Sequence, residues 1–499
     1  MNKPPPIRVL DRRLPLWRVV LLLAIPVWTQ QVLHLAVNLS DRLLAGRFLR
    51  LSPDEVARSA QAQAQAVGLL AGGSWAGPAG AAFHLAEAER LAGRTVAYQS
   101  AQTTAGYVYW FITSFTVLVS AGATALVARF VGAGDRSPAV RVTHQALILA
   151  ALFGAAASLA GLLGVRELLW LLQLRGDALD QAVLYLRPIF LALTLQMIAA
   201  VGIASLAGAG DTVTGMGVLS GVALVNLPLS WGFVHGAGPL PELGFVGIAA
   251  GTAVSHALGC VAVLAVLARG RAGLKLHLAL FRPDVGLMRR VLRISVPAGI
   301  DSLSVVAGQF WFLSIVNGLG DVASAAHGIA LQWEALGYLS GNAFAVAAMA
   351  LVGQSLGAGR PDLAARSGWT AFALGGGIMC VMGVVFSVLA EPMFGLLTRQ
   401  AAIIATGVPV LRLVAWAMPP LASAIIFTGA LRGAGDTRVP VLFTWAGFLG
   451  LRIPLAYWLT GPLEWGLWGA WCAMVADLLF RGAAFLLRFA GDRWKRTKV

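Results

Sequence analysis

Charge is scarce in this 499-residue chain. Asp, Glu, Lys and Arg together make up 12% of it, about half of the ~25% usual for a soluble globular protein, which argues against a water-soluble enzyme. Cysteine is scarcer still. Cys260, Cys380 and Cys472 each lie inside an apolar run, and no pair has metal-ligand spacing. A disulfide framework or a zinc site is therefore not expected, and the three read as small packing residues. The chain also lacks a zinc-protease helix motif, a serine elbow and a nucleotide loop ending in Lys-Ser/Thr. Neither catalysis nor ATP drive is indicated, and no cofactor is expected. An ion gradient, of H+ or Na+, would have to supply the energy for any work done. A cleavable leader is not evident either. The N-terminus starts basic (Lys3, Arg8, Arg12, Arg13, Arg18) and turns apolar, but the apolar run continues past Ile25 without a small-x-small cleavage site. It reads as a retained first span.

Apolar residues are abundant instead: they make up 58% of the chain, with a mean hydropathy of +0.78. A bilayer core of about 30 Å takes about 20 helical residues. That length predicts spans over 16–44, 103–131, 143–164, 182–207, 214–236, 245–268, 292–317, 327–352, 368–390, 402–430, 438–461 and 466–488. Several contain a proline (Pro26, Pro188, Pro228, Pro297, Pro419, Pro420, Pro454), which membrane helices tolerate where neighbours or cavity water satisfy the freed backbone. The net charge of +15 would hint at nucleic acid in a soluble protein. Here the basic residues concentrate in alternate loops, above all the N-terminus, 129–141, 269–293 and the stretch from 481 onward. The positive-inside rule then places both termini in the cytoplasm. A bacterial inner-membrane protein with no nucleic-acid partner is expected.

A repeat runs through the chain. ALVARFVGAG (125–134) returns as ALVGQSLGAG (350–359), and LAGAGDT (206–212) as LRGAGDT (431–437), both at an offset of 225. NLPL (226–229) faces RIPL (452–455) at 226, and LAIP (23–26) faces ISVP (294–297) at 271. The excess of 46 at the first span marks an insertion, roughly 48–96, between the first and second spans. It opens on Ser52-Pro53-Asp54-Glu55, a helix start. An Ala/Gln-rich helix is expected to about Leu70, then a Gly-rich break over 72–80 and a second short helix. This is an outside-facing decoration or a lid.

The organisation expected is therefore a cytoplasmic tail (1–15), an N-lobe (16–268), a basic linker (269–291), a C-lobe (292–488) and a basic tail (489–499). The fold is all-α and membrane-embedded: twelve transmembrane helices in two six-helix lobes related by a pseudo-two-fold axis along the membrane normal. Transporters of that plan bind cargo near the midplane, between the halves, and alternate access by rocking.

Polar side chains within spans are costly, and they usually face the bundle or a wet cavity. The first span carries Gln30, Gln31, His34, Asn38 and Asp41 at helical spacing, a polar stripe ending in a carboxylate. Asp41 alternatively pairs with Arg42 or Arg47 near the outer surface. Asn226 in the fifth span and Thr252 in the sixth, with His256 one turn on, would hydrogen-bond Asp41 in one protonation state if their helices adjoin the first. Otherwise they are ordinary helix–helix contacts. Tyr107 in the second span is a further cavity candidate. In the second half, Asp301 lies in the seventh span, and Glu334 lies in the eighth with Tyr338 and Asn342 at i+4 and i+8. Arg452 and Asp477 form a structural ion pair or face the cavity. Only Arg412 and Arg452 count as basic residues within spans. Asp211 and Asp436 of the GAGD turns are expected to cap the helices that follow.

Taken together, AIPVWTQQVLHLAVNLSDRLLAGR (24–47), ALVARFVGAGD (125–135), AAHGIALQWEALGYLSGNAFAVAAMALVGQSLGAGR (325–360) and GALRGAGDTRVP (429–440) resemble the multidrug and toxic compound extrusion (MATE) family across both halves. The resemblance implies two six-helix lobes that face inward and outward in turn. It also implies export of cationic or amphipathic small molecules in exchange for H+ or Na+, by a monomer in the lipid bilayer. Asp41 matches the first-helix carboxylate that many members use for cation coupling, and Asn226 and Thr252 match its polar partners. Gln31, His34, Asn38, Tyr107, Asp301, Glu334 and Tyr338 are the expected cavity residues. The chain departs from the family where many members carry a second acid one turn after that Asn, because Ser230 stands there. It departs again where some members place acids in the seventh and tenth helices: Val305 occupies the first place, and 402–430 holds no acid. Proton coupling through Asp41 is favoured on those grounds. The alternative within the superfamily is a lipid-linked oligosaccharide flippase, which needs several basic cavity residues. A membrane-embedded enzyme or sensor would need a clustered catalytic set or a soluble output domain, and neither is evident.

Overall fold

The computed structural model describes residues 14–45, 104–172 and 174–497, with scattered positions between 58 and 102. The insertion expected over 48–96 lies almost wholly outside the described residues, as do the tail 1–13 and the side chains of Asn38, Arg42 and Arg47. Among the described residues, twelve helices are long and apolar enough to cross a membrane. We number them α1 (Leu16–Ala45), α2 (Thr104–Gly132), α3 (Arg136–Leu171), α4 (Gly176–Gly208), α5 (Thr212–His235), α6 (Phe245–Ala268), α7 (Val285–Asn317), α8 (Asp321–Gly357), α9 (Pro361–Val388), α10 (Ala401–Ala434), α11 (Arg438–Thr460) and α12 (Gly466–Ala490). A short helix, Ala390–Leu397, joins α9 to α10. No strand occurs among the described residues.

Most helices outrun the lengths that hydropathy predicts, α3 by a full turn or more at each end. Hydrogen bonding along the axis does not stop where the hydrocarbon does, so polar turns continue each helix into the interfacial zone. Local chemistry then ends them. Asp211 accepts from the Thr214 backbone N–H at the start of α5, and Asp284 does the same for Leu287 at the start of α7. Asp436 does not cap, contrary to expectation. Its carboxylate takes two hydrogen bonds from Arg488 near the end of α12, at 2.9 and 2.6 Å, because a guanidinium fork outcompetes a single backbone N–H.

The six-helix repeat is visible in the packing. Helices α3, α4, α6, α5 and α1 follow one another by contact in the N-lobe, as α9, α10, α12, α11 and α7 do in the C-lobe. The lobes meet along α1 with α8 and α2 with α7, with α2 against α8 at the centre. The first halves of α1 and α7 are exchanged. Val19, Val20, Leu23 and Ala24 of α1 belong to the C-lobe core. Val291 and Ile294 of α7 belong to the N-lobe core.

One end of the seam is closed tightly. A Cβ on Gly132 would collide with the Gln354 carbonyl oxygen, and a Cβ on Gly357 with that of Arg129. These are the corresponding glycines of the two GAG turns, each seated on the backbone of the other's helix. The same two positions reach further across: Gln354 Nε2 donates to Gly208 O of α4 at 2.8 Å, and Arg129 Nη1 to Ala434 O of α10 at 3.4 Å.

Candidate functional site: a buried carboxylate beside a hydroxyl–amide cluster

Asp41 sits near the end of α1 farthest from this closure, facing α6. Thr252 Oγ1 lies 3.5 Å from Asp41 Oδ2 and 3.1 Å from Ile248 O. A hydroxyl carries one proton, so Thr252 serves one of these acceptors at a time. Asn226 of α5 is buried, and its amide Nδ2 donates to Thr252 Oγ1 at 3.1 Å and to Ser255 Oγ at 3.4 Å. With both amide protons directed at α6, Asn226 Oδ1 has no donor among the described residues. Asp41 Oδ1 is likewise buried and without a partner among the described residues. Two acceptor oxygens with no hydrogen bond therefore stand in one cluster. Buried acceptors in that state are costly, and a cation or an added proton would satisfy them.

Below Asp41 along α1, His34 faces His256 of α6, with ring centroids 6.4 Å apart. Together with Gln30, Val37, Asn226 and Ser255 they line a cavity of about 20 Å³, room for roughly one water molecule. His256 Nε2 lies 3.4 Å from the Tyr109 hydroxyl, which accepts from Gln196 Nε2 at 3.0 Å. Gln30 Nε2 reaches Thr212 O at 3.3 Å. Gln31 lies on the same helix, half-buried. Ser230, where many family members carry a second acid, is fully buried and donates to Ile248 O at 3.3 Å. Among the described residues, no group of three His, Cys, Asp or Glu is placed to hold a metal ion.

The remaining candidates lie elsewhere. Tyr107 is partly exposed and packs edge-on against Phe310 of α7, along the lobe seam. Asp301 is buried and ion-paired with Arg432 at 2.8 Å. Tyr338 is on the exposed part of α8. Glu334 is buried in the C-lobe interior, and its Oε2 has no hydrogen-bond partner among the described residues.

Sequence reasoning missed two arginines. Charge counting by loops leaves Arg432 and Arg481 out of the spans, but both lie within helices. Arg481 is buried and grips Asp477 with a bidentate fork at 2.7 and 2.8 Å. Arg452 takes the same carboxylate from the other side, at 2.6 and 2.8 Å. Their i, i+4 spacing was the available signal for Asp477 and Arg481. Arg412, by contrast, is exposed.

The comparisons agree with this architecture. The family model MatE matches residues 97–231 and 297–458, more than half of the chain and parts of both lobes. A probable multidrug resistance protein NorM of Thermotoga maritima is 28% identical over 79% of this chain and 84% of its own length. Another of that name from Pseudomonas aeruginosa is 29% identical over 78% of this chain and 81% of its own. Among solved structures, an outward-facing multidrug resistance MATE family transporter of the MOP superfamily superposes with a TM-score of 0.82 over 99% of this chain and 100% of that one, at 19% identity. A MOP superfamily transporter from Pyrococcus furiosus, described as having a binding pocket of reversed polarity, gives 0.81 over 100% of both chains, also at 19% identity. The duplicated twelve-helix frame thus has a name: this chain belongs to the MatE family and is a multi-pass membrane transporter, not an enzyme.

Proposed function

We propose that the chain is an antiporter that exports cationic or amphipathic small molecules from the bacterial cytoplasm and takes up one cation at Asp41, H+ in preference to Na+. The observation that carries this is the pair of unsatisfied oxygens, Asp41 Oδ1 and Asn226 Oδ1. One added proton on Asp41 would satisfy that carboxylate without any further ligand. A metal cation would want more oxygen ligands than one carboxylate, one amide and two hydroxyls already engaged elsewhere, and the acid that would enlarge the set is replaced by Ser230. The relatives, named as multidrug resistance proteins, support a drug-like cargo. Positive-inside counting puts the closed end of the seam, which carries the basic loops, in the cytoplasm. The described conformation is then closed to the cytoplasm, and rocking about α1, α2, α7 and α8 exchanges access.

The flippase reading loses ground even though Arg432 and Arg481 join Arg452 inside the helices. All three arginines are held by carboxylates and none is free to grip a pyrophosphate.

The test is Asp41→Asn in proteoliposomes. Ethidium export driven by an imposed ΔpH should be abolished, while membrane insertion and ethidium binding persist. ΔpH-driven export that survives the substitution would refute the proposal, and export driven by a Na+ gradient alone would replace the proton with sodium.

A further inference from the structure

The two lobes can be compared station by station. At the first helix of each, the offset of 271 takes Asp41 to Phe312. In the fifth, the offset is 225 at the GAGDT turn and 226 at NLPL/RIPL, so Asn226 corresponds to Arg452. The extra residue has a structural form: one π-helical turn, Phe448–Arg452, interrupts α11 and ends on that arginine, and such single turns absorb one-residue insertions. In the sixth helix, ELGFVG (242–247) matches EWGLWG (464–469) at an offset of 222, which takes Ser255 to Asp477 and Gly259 to Arg481.

These counterparts meet in the C-lobe as their equivalents do in the N-lobe. Asn226 donates to Ser255 in the N-lobe, and Arg452 donates to Asp477 in the C-lobe. Phe312, at Asp41's station, has its ring 5.6 Å from the Arg452 guanidinium carbon, and Phe448 stacks at 4.1 Å. Arg452 Nη1 reaches Gln309 Oε1 of α7 at 3.4 Å. Arg452 is 1% exposed and Asp477 fully buried. The C-lobe therefore has a carboxylate, a closed cage and a cation, and the cation is covalently part of the chain.

We propose that Arg452 is a resident cation: its guanidinium fills the C-lobe counterpart of the exchangeable site, so that a transport cycle is coupled to a single cation, the one at Asp41. The inference rests on Asp41 being the coupling site. Among the described residues, Glu334 is the one buried C-lobe acid without an arginine bonded to it, and it is the group to exclude. It lies within electrostatic reach of Arg452 and Arg481.

The test uses wild-type protein in proteoliposomes with ethidium, a monocation, as cargo. One-for-one exchange is electroneutral, so the steady-state ethidium ratio set by a fixed ion gradient should not change when a potassium diffusion potential is imposed. Two cations per ethidium would move one net charge and shift that ratio about tenfold per ~59 mV. Such a shift overturns the inference, and its disappearance in Glu334→Gln would assign the second cation to Glu334. If Asp41→Asn instead retains coupled exchange, it is the coupling reading that falls.

A second arm uses Arg452→Ala. Millimolar guanidinium should restore its thermal midpoint toward wild type, and sodium at equal ionic strength should not. Equal response to both salts counts against a guanidinium-shaped cage. If that variant cannot be purified, the wild-type potential measurement decides alone.

Discussion

In the N-lobe, a carboxylate takes one long hydrogen bond, from Thr252, which Asn226 links in turn to Ser255. In the C-lobe, the corresponding helices hold a carboxylate that takes four short ones from two arginines. The backbone frames are equivalent, down to the reciprocal glycines at the seam. The difference lies in the side chains at corresponding stations, Phe312 for Asp41, Arg452 for Asn226, Asp477 for Ser255 and Arg481 for Gly259, and in one inserted residue. It teaches that the repeat sets where a buried charge can stand, and that the local side chains set whether its partner can leave. On the proposed coupling a proton comes and goes at Asp41, whereas Arg452 is tied to the chain and stays with Asp477.

The sharpest way to break this comparison is to neutralise the fixed carboxylate. Asp477→Asn leaves Arg452 and Arg481 buried beside each other with no counter-charge between them. Removing one partner from a buried ion pair typically costs about 3–5 kcal/mol. The N-lobe counterpart, Ser255→Ala, removes a neutral hydroxyl bonded to Asn226 Nδ2 and Thr252 O and should cost about 1 kcal/mol. Thermal unfolding of the purified variants measures the gap. Equal small losses would mean that the C-lobe cluster is not the structural lock described here.

How much of this could be read in the sequence depends on the range of the interaction. Helix count followed from apolar length, and the lobes from two motifs sharing an offset. The stripe on α1 followed from spacing within one helix. Partners that are distant in the chain did not. Asp436 meets Arg488 across 52 residues and Asp301 meets Arg432 across 131, and no local pattern encodes either pair. Arg432 lies two residues past the predicted end of the tenth span, where hydropathy fixes boundaries poorly, whereas Arg481 falls inside the predicted twelfth span and was counted with the basic tail. The π-helical turn has no compositional mark and shows only as the change of offset from 225 to 226.

Where the repeat keeps the same residues, the two lobes should respond alike. Gly132→Ala and Gly357→Ala each push a methyl group into a carbonyl of the opposing helix. Overpacking of this kind costs about 1–3 kcal/mol. Both should lower the thermal midpoint of the closed form by similar amounts, and both should slow ethidium export, since each opposes the same closure. A loss confined to one of the two would show that the seam is less symmetric than its glycines.

The smallest expected effect sharpens the comparison at a single hydroxyl. Thr252→Val keeps the shape of the side chain but removes the group 3.5 Å from Asp41 Oδ2 that also accepts from Asn226 Nδ2. A hydrogen bond of this kind is worth about 0.5–1.5 kcal/mol, so ΔpH-driven ethidium export should fall about two- to tenfold with little change in the thermal midpoint. The C-lobe station is Met474, at the same offset of 222. It is apolar and buried in the core, so Met474→Leu should leave export unchanged. If Thr252→Val proves silent, then Asp41 draws no support from α6.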